Sequence, residues 1–423
     1  MEYINKDLGS YHLHMIKTDK FKTIKVKVAF RRPIVKEEIT LRNILANILV
    51  QTTNKYKTKR DLTIKAQDLY AATISSNNNR IGNYINTEIV LSILNDKYTE
   101  DGNFKKALDF LYDLIYDPNI KDNGFDDEQL QIILKNAKTS LESLKEDSNY
   151  YSLIRLFEVM DSDRPSSYRM SGYLEDLEKI NSKNLYKYYL ELLHKDLMDI
   201  IVIGDIDFEE CEELIRSKFA QKTFKKCRSS YYLDEVKPRV RKRVVIEKDD
   251  NNQSKLAIGA RLTGITKYEK NYPLTLYNII LGGGDDSKLF RNVREKNSLC
   301  YYINSVPQKL DNILVIRAGI DKKNIKKTVT LVEKEMNNIK KGKVNESDLK
   351  TAKEFFATAI DSLLESQAGI MDHYYMMSLL KTDDIETRLK KMNEVSLADV
   401  IKVSKKVKLD TVYCLEGINN EED

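Results

Sequence analysis

At 423 residues the chain is long for one ordinary domain and long enough for two, each with its own core. Its 41% hydrophobic and 32% charged residues are globular composition, and no apolar run approaches the roughly 20 residues that would cross a bilayer. The formal charge of +5 is modest for this size, so where the charge lies says more than its sum.

The N-terminus, MEYINKDLGSYHLHMIKTDK, lacks the uninterrupted apolar core of a secretion signal, and a soluble, cytoplasmic protein is expected. His12 and His14 share one face of an expected strand, where they serve packing or face solvent. With His194 and His373 they make neither H-x-x-x-H nor H-x-x-E-H. Cys211, Cys227, Cys300 and Cys414 show no C-x-x-C spacing, so neither a disulfide framework nor a cysteine zinc site is expected.

Further along, IKVKVAF (24–30) alternates apolar and polar residues as a half-buried strand does, and LAIGARL repeats the pattern 232 residues later at 256–262. The order of segments then recurs. LRNILANILVQTT (41–53) corresponds to LTLYNIILGGG (274–284), and DLYAATISS (68–76) to SLCYYINSV (298–306). The amphipathic KKALDFLYDLI (105–115) answers KKTVTLVEKEM (326–336), and DEQLQIILKNAKTSL (127–141) answers ESDLKTAKEFFATAI (346–360). DIIVIGDID (199–207) and DTVYCLEGI (410–418) close the halves as strands. The pattern predicts an α+β fold of two homologous domains, each a mixed or antiparallel sheet covered by helices.

Between the halves, QKTFKKCRSSYYLDEVKPRVRKR (221–243) holds nine Lys or Arg against two acidic residues, which leaves the rest of the chain slightly negative. It reads as an exposed, solvated linker between domains at 1–220 and 244–423. Basic residues interleaved with Tyr231 and Tyr232 are a pattern that also suits nucleic-acid contact, but nothing else in the sequence favours that reading.

In the second half, LGGGDDSKLFRNVREKNSLCYY (281–302) invites comparison with a phosphate-binding loop. Lysine and hydroxyl do not stand where G-x-x-x-x-G-K-[ST] requires them, and Asp285 and Asp286 would repel a polyphosphate. The expectation is instead that Gly282 to Gly284 end one helix through the left-handed conformation, and that Asp285, Asp286 or Ser287 caps a helix over Lys288 to Glu295.

The segment order, and SKLFRNVREKNSLCYY above all, resembles the insulinase-like metallopeptidases, which include pitrilysin and the mitochondrial processing peptidase. The resemblance implies that two homologous halves form half of a clamshell closing on a peptide. Active members carry H-x-x-E-H on a helix of the first half. Here Asn43 and Asn47 stand at the histidine positions and Ala46 at the glutamate position. Lys135 or Asn136 falls at the third ligand position. Asparagine amides are poor zinc ligands beside imidazole, and alanine cannot act as a general base. No catalytic residue and no metal are therefore expected in this chain, and autonomous proteolysis is not expected.

The resemblance also implies that an arginine and a tyrosine seven residues apart in the second half reach substrate at the zinc. Arg294 and Tyr301 have that spacing. Their alternatives are a surface ion pair and a core aromatic. The expected function is a substrate-binding, non-catalytic subunit of a heterodimeric peptidase, with zinc only in a homologous partner subunit and a peptide as substrate. The alternative is a structural or peptide-binding scaffold, in a bacterial subgroup linked to elongation factor P modification.

Overall fold

A computed structural model describes residues 1–219 and 228–417. They form two compact units: one of residues 1–142, 169–231 and 364–382, and one of residues 143–168, 232–363 and 383–423, of which 418–423 lie outside the described residues. Among the described residues no helix is long and apolar enough to cross a membrane.

The first unit's sheet uses β1 (Glu2–Asp7), β2 (His12–Lys17), β3 (Thr23–Pro33), β4 (Thr73–Ile81), β5 (Tyr84–Leu94) and β8 (Leu197–Gly204), with a small hairpin of β6 (Ile120–Lys121) and β7 (Gly124–Phe125) apart from it. Its order is β1-β2-β8-β3-β5-β4, with β2 and β8 parallel and the other neighbours antiparallel. The second unit's sheet uses β9 (Arg243–Asp249), β10 (Ser254–Leu262), β11 (Cys300–Gln308), β12 (Ile313–Ile320) and β13 (Val407–Gly417). Its order, β9-β13-β10-β12-β11 from one edge, repeats β2-β8-β3-β5-β4 with the same single parallel pair. The duplication read in the sequence is thus a duplication of topology, with β1 as an extra edge strand.

Each unit covers one sheet face with a helix from the other half of the chain. In the first unit Ile24, Val26, Val28 and Phe30 of β3 join Leu13, Ile200, Val202 and Leu91 in an apolar core with helices Ile39–Ile48 and Asn103–Tyr116. The opposite face carries Lys27, Arg31, His14, Asp199 and Glu88, all buried. Helix Gln367–Leu380 lies there, its Tyr375 stacked edge-on against His14 at 5.9 Å. So β3 is buried on both faces rather than on one. In the second unit, helix Ser148–Met160 brings Tyr151, Leu156 and Met160 against Ala257, Val315, Tyr413 and Leu415.

The same ionic solution recurs in the two sheets. Asp199 of β8 pairs with Arg31, and Asp410, eleven-residue β13's matching aspartate, pairs with Arg239 and lies 3.7 Å from Arg261. Arg239 also donates to the Met160 carbonyl at 2.9 Å. Residues 228–243 are mostly exposed, as expected of a linker there, but they are tethered at a few points. Tyr231 packs its ring on Tyr84 at 4.5 Å, and the buried Leu233 exchanges backbone and side-chain bonds with Leu310 and Asn312. A run of basic residues disguises these anchors in the sequence. Residues 221–227 of that segment lie outside the described residues.

Candidate functional site

The H-x-x-E-H positions lie on helix Ile39–Ile48, which is held from beneath by Arg42. Arg42 is fully buried; its guanidinium pairs with Asp196 and donates to the Phe30 carbonyl at 2.7 Å and the Thr87 hydroxyl at 2.6 Å. One residue on, Asn43 donates to the Ser171 carbonyl at 2.9 Å and accepts from Asn78 at 3.4 Å. Asn47 is exposed and folds back on its own helix, donating to the Asn43 carbonyl at 2.8 Å. Ala46 is buried. Both amides thus use their N–H groups on backbone carbonyls. On the neighbouring helix Asp127–Glu142, Lys135 and Asn136 are exposed.

This set does not fit a zinc ion. It offers neutral amides, a methyl group and a cation where the metal requires imidazole or carboxylate donors. Among the described residues no three His, Cys, Asp or Glu side chains cluster as a metal would need. Hydrolysis by a metal-bound water has neither ligands nor base at this place.

The glycine-rich stretch builds a different site. Helix Pro273–Gly282 does end at the glycines, yet none of the three is left-handed; Gly283 has φ −87°. They are small because neighbours come close. A Cβ on Gly282 would stand 2.7 Å from the Ser305 hydroxyl oxygen and 3.0 Å from the Ser305 nitrogen of β11. Gly282→Ala is therefore expected to cost about 1–3 kcal/mol by overpacking. Gly284→Ala meets only the ring of Phe355, which is 46% exposed and able to move. Urea midpoints of the two variants check the contrast, and equal values would mean the helix end relaxes freely.

Ser287 caps the following turn, its Oγ accepting from the Phe290 amide at 3.3 Å. The chain then winds wider than an α-helix, with Phe290–Glu295 forming a π-helix and the Lys296 amide reaching back five residues to the Arg291 carbonyl. Such turns are rare and are frequently found at functional sites. Of its basic residues, Lys288 and Arg291 both bind Asp348, at 3.1 and 2.7 Å. Burial would raise the Asp348 carboxyl, but these two bonds and the Asn345 amide hold it below the usual carboxylate range. Arg294 is different: exposed, its guanidinium lies 4.5 Å from the Phe290 ring centroid, with no ion pair among the described residues.

Tyr301 is set by a second irregularity. Cys300 pairs with Ile320 and Tyr302 with Gly319, so Tyr301 is the unpaired residue of a β-bulge. A bulge re-aims a side chain, and Tyr301 is 64% exposed, not a core aromatic. Ser298, left-handed at φ 49°, turns the chain from the π-helix into β11. Arg294 and Tyr301 consequently line one recess of about 420 Å³. Cys300 lies there too, but burial pushes its thiol up to about 11, so it is no nucleophile at neutral pH despite Arg294 nearby.

The sequence profile described as "Peptidase M16 inactive domain" matches residues 179–356. Over its whole length the chain is similar to the probable inactive metalloprotease YmfF of Bacillus subtilis strain 168, with 29% identity over 427 residues covering 99% of each chain. The chain is thus similar over its whole length to a relative of the insulinase-like metallopeptidase type. A conserved protein from Enterococcus faecalis V583 has the same fold, with a TM-score of 0.90, 27% identity and 100% of both chains covered. A peptidase M16 inactive domain from Pseudomonas fluorescens shares the fold at a TM-score of 0.81 and 14% identity, over 100% of this chain and 99% of that one. Sequence reasoning missed Ser298 and Asp321, which line the recess, and Asp348, which holds Lys288 and Arg291. An Asn345–Asp348 capping pair was the one local signal for Asp348.

Proposed function

We propose that this insulinase-like chain is the non-catalytic subunit of a heterodimeric zinc peptidase, presenting Arg294 and Tyr301 to a peptide held at the zinc of a homologous partner. One observation carries the reading: both side chains line a single recess, exposed and, among the described residues, without a hydrogen bond to another side chain, on a π-helix and a β-bulge. Arg294 supplies a planar, permanently charged donor for a peptide carbonyl or carboxylate. Tyr301 supplies a hydroxyl for an oxygen that gains charge as the peptide bond is attacked.

The test pairs the chain with a homologue carrying H-x-x-E-H and follows cleavage of a fluorogenic peptide. Tyr301→Phe removes one exposed hydroxyl, so association should persist while the rate falls on the order of a hundredfold. Arg294→Ala should raise KM more than it lowers kcat, because it removes a charge-assisted contact. Two variants that assemble and turn over like the wild type would favour the rival reading, a structural scaffold. That reading is supported by Val244 and Ile246, 55% and 51% exposed on edge strand β9, as an assembly surface needs.

A further inference from the structure

The recess that holds Arg294 and Tyr301 is also lined by Asp321. Asp321 directly follows Ile320, the residue of β12 that pairs with Cys300, so its carboxylate enters from the strand beside the bulge. It precedes a short 3-10 turn, yet its side chain caps nothing there. Among the described residues the Asp321 carboxylate has no hydrogen bond and no ion pair. The adjacent Lys322 is paired with Glu416 at 3.1 Å and does not neutralise it. The Cys300 thiol remains protonated at neutral pH and adds no second negative charge.

The recess thus displays two kinds of group at once. Arg294 offers only donors, and Tyr301 has a hydroxyl to donate. Asp321 offers only acceptors. A polyanion would gain from Arg294 and be repelled by Asp321. A neutral backbone segment would satisfy the donors and leave the carboxylate without a partner. A segment with a carbonyl or carboxylate and a cation close by satisfies all three.

We infer that Asp321 is a specificity-determining residue, selecting peptides that place an ammonium or guanidinium group beside the carbonyl held by Arg294 and Tyr301. This deepens the substrate-binding reading and rests on it for the peptide, but not for the chemistry of a partner. The cation has two sources, a lysine or arginine side chain or a free peptide N-terminus. Because the site is open to solvent, the selectivity should be modest, about fivefold at low salt and smaller in high salt.

The isolated chain suffices for the test. The side-chain Nε–H NMR signal of Arg294 is followed during titration with four peptides: one with lysine, its norleucine counterpart, one with a free N-terminus, and its acetylated counterpart. In the wild type, one charged peptide or both should shift the signal at about fivefold lower concentration than the uncharged match, and which one does so identifies the source. Asp321→Asn should erase that gap and leave the uncharged peptides unchanged. Asp286→Asn, in the glycine loop outside this recess, should preserve it. Equal titrations in the wild type, a gap that survives Asp321→Asn, or no shift with any peptide would overturn the inference. An erased gap alongside normal turnover by Tyr301→Phe in the paired enzyme would keep it and sink the catalytic role. No gap alongside collapsed turnover would do the reverse.

Discussion

Replacing Arg42 with alanine is expected to destabilise the first unit by about 3–5 kcal/mol, the penalty for leaving a buried charge without its partner. Arg42 and Asp196 are both fully buried, and the guanidinium also satisfies the Phe30 carbonyl and the Thr87 hydroxyl. Removing it leaves Asp196 with Arg32, which is 3.7 Å away and already paired with Glu38. Neighbouring positions should behave differently. Asn47→Ala sits on an exposed site and should change stability by less than about 0.5 kcal/mol. Asn43→Ala loses part-buried hydrogen bonds worth about 1 kcal/mol. Hydrogen exchange of residues 39–48 with urea unfolding separates the three. An Arg42→Ala loss under 1 kcal/mol would mean that Asp196 finds water or Arg32 instead. The double variant Arg42→Met with Asp196→Leu should recover much of the loss, since an apolar pair of similar size removes both charges.

Stability should also fall as the pH drops from 6.5 to 4, through His14. Its side chain is 1% exposed, with Nδ1 bonded to the Tyr3 hydroxyl at 2.9 Å and Nε2 3.3 Å from Asp199. Burial first, then the charges of Arg31 and Lys381, lower its pKa from 6.5 to about 4. Asp199 would oppose this, but its charge is matched by Arg31. The unfolded chain binds the proton near pH 6.5 and the folded chain resists it until about 4, so the stability present above 6.5 is lost through that window. The total is on the order of 3 kcal/mol, with about 2 kcal/mol gone by pH 5. His12, lowered chiefly by burial, adds to the loss with the same sign. His14→Gln should flatten the curve between pH 7.5 and 5, where carboxylates contribute little. Urea midpoints at both pH values decide it: a wild type equally stable at the two, or a variant that keeps the slope, would rule out His14 as the source.

Much of the architecture was legible because apolar spacing is local. The match of IKVKVAF to LAIGARL fell on β3 and β10, the central strands of the two sheets. KKALDFLYDLI and KKTVTLVEKEM fell within helices Asn103–Tyr116 and Ile325–Lys340. The pairing of DLYAATISS with SLCYYINSV was a few residues out of step, since β4 begins at Thr73 and β11 at Cys300 with a bulge in the next residue. The Arg294 and Tyr301 spacing was visible, but their common recess was not. It depends on a π-helix, whose local bond pattern has no simple sequence signature, and on a bulge defined by pairing with the separate strand β12.

By itself the sequence determined which residues could not be zinc ligands, since the chemistry of Asn43, Ala46 and Asn47 does not depend on their surroundings. It also determined the repeated order of strands and helices, through hydrophobic period alone. Only the tertiary structure decided what covers each sheet. The polar side chains of β3 looked solvent-facing, and they are buried because Gln367–Leu380, more than three hundred residues later, lies over them. Likewise Ser148–Met160 has an apolar face that announces burial without saying against which strands. An amphipathic pattern records that a face avoids water; its partner is chosen by shape, charge pairing and chain connectivity across the whole fold.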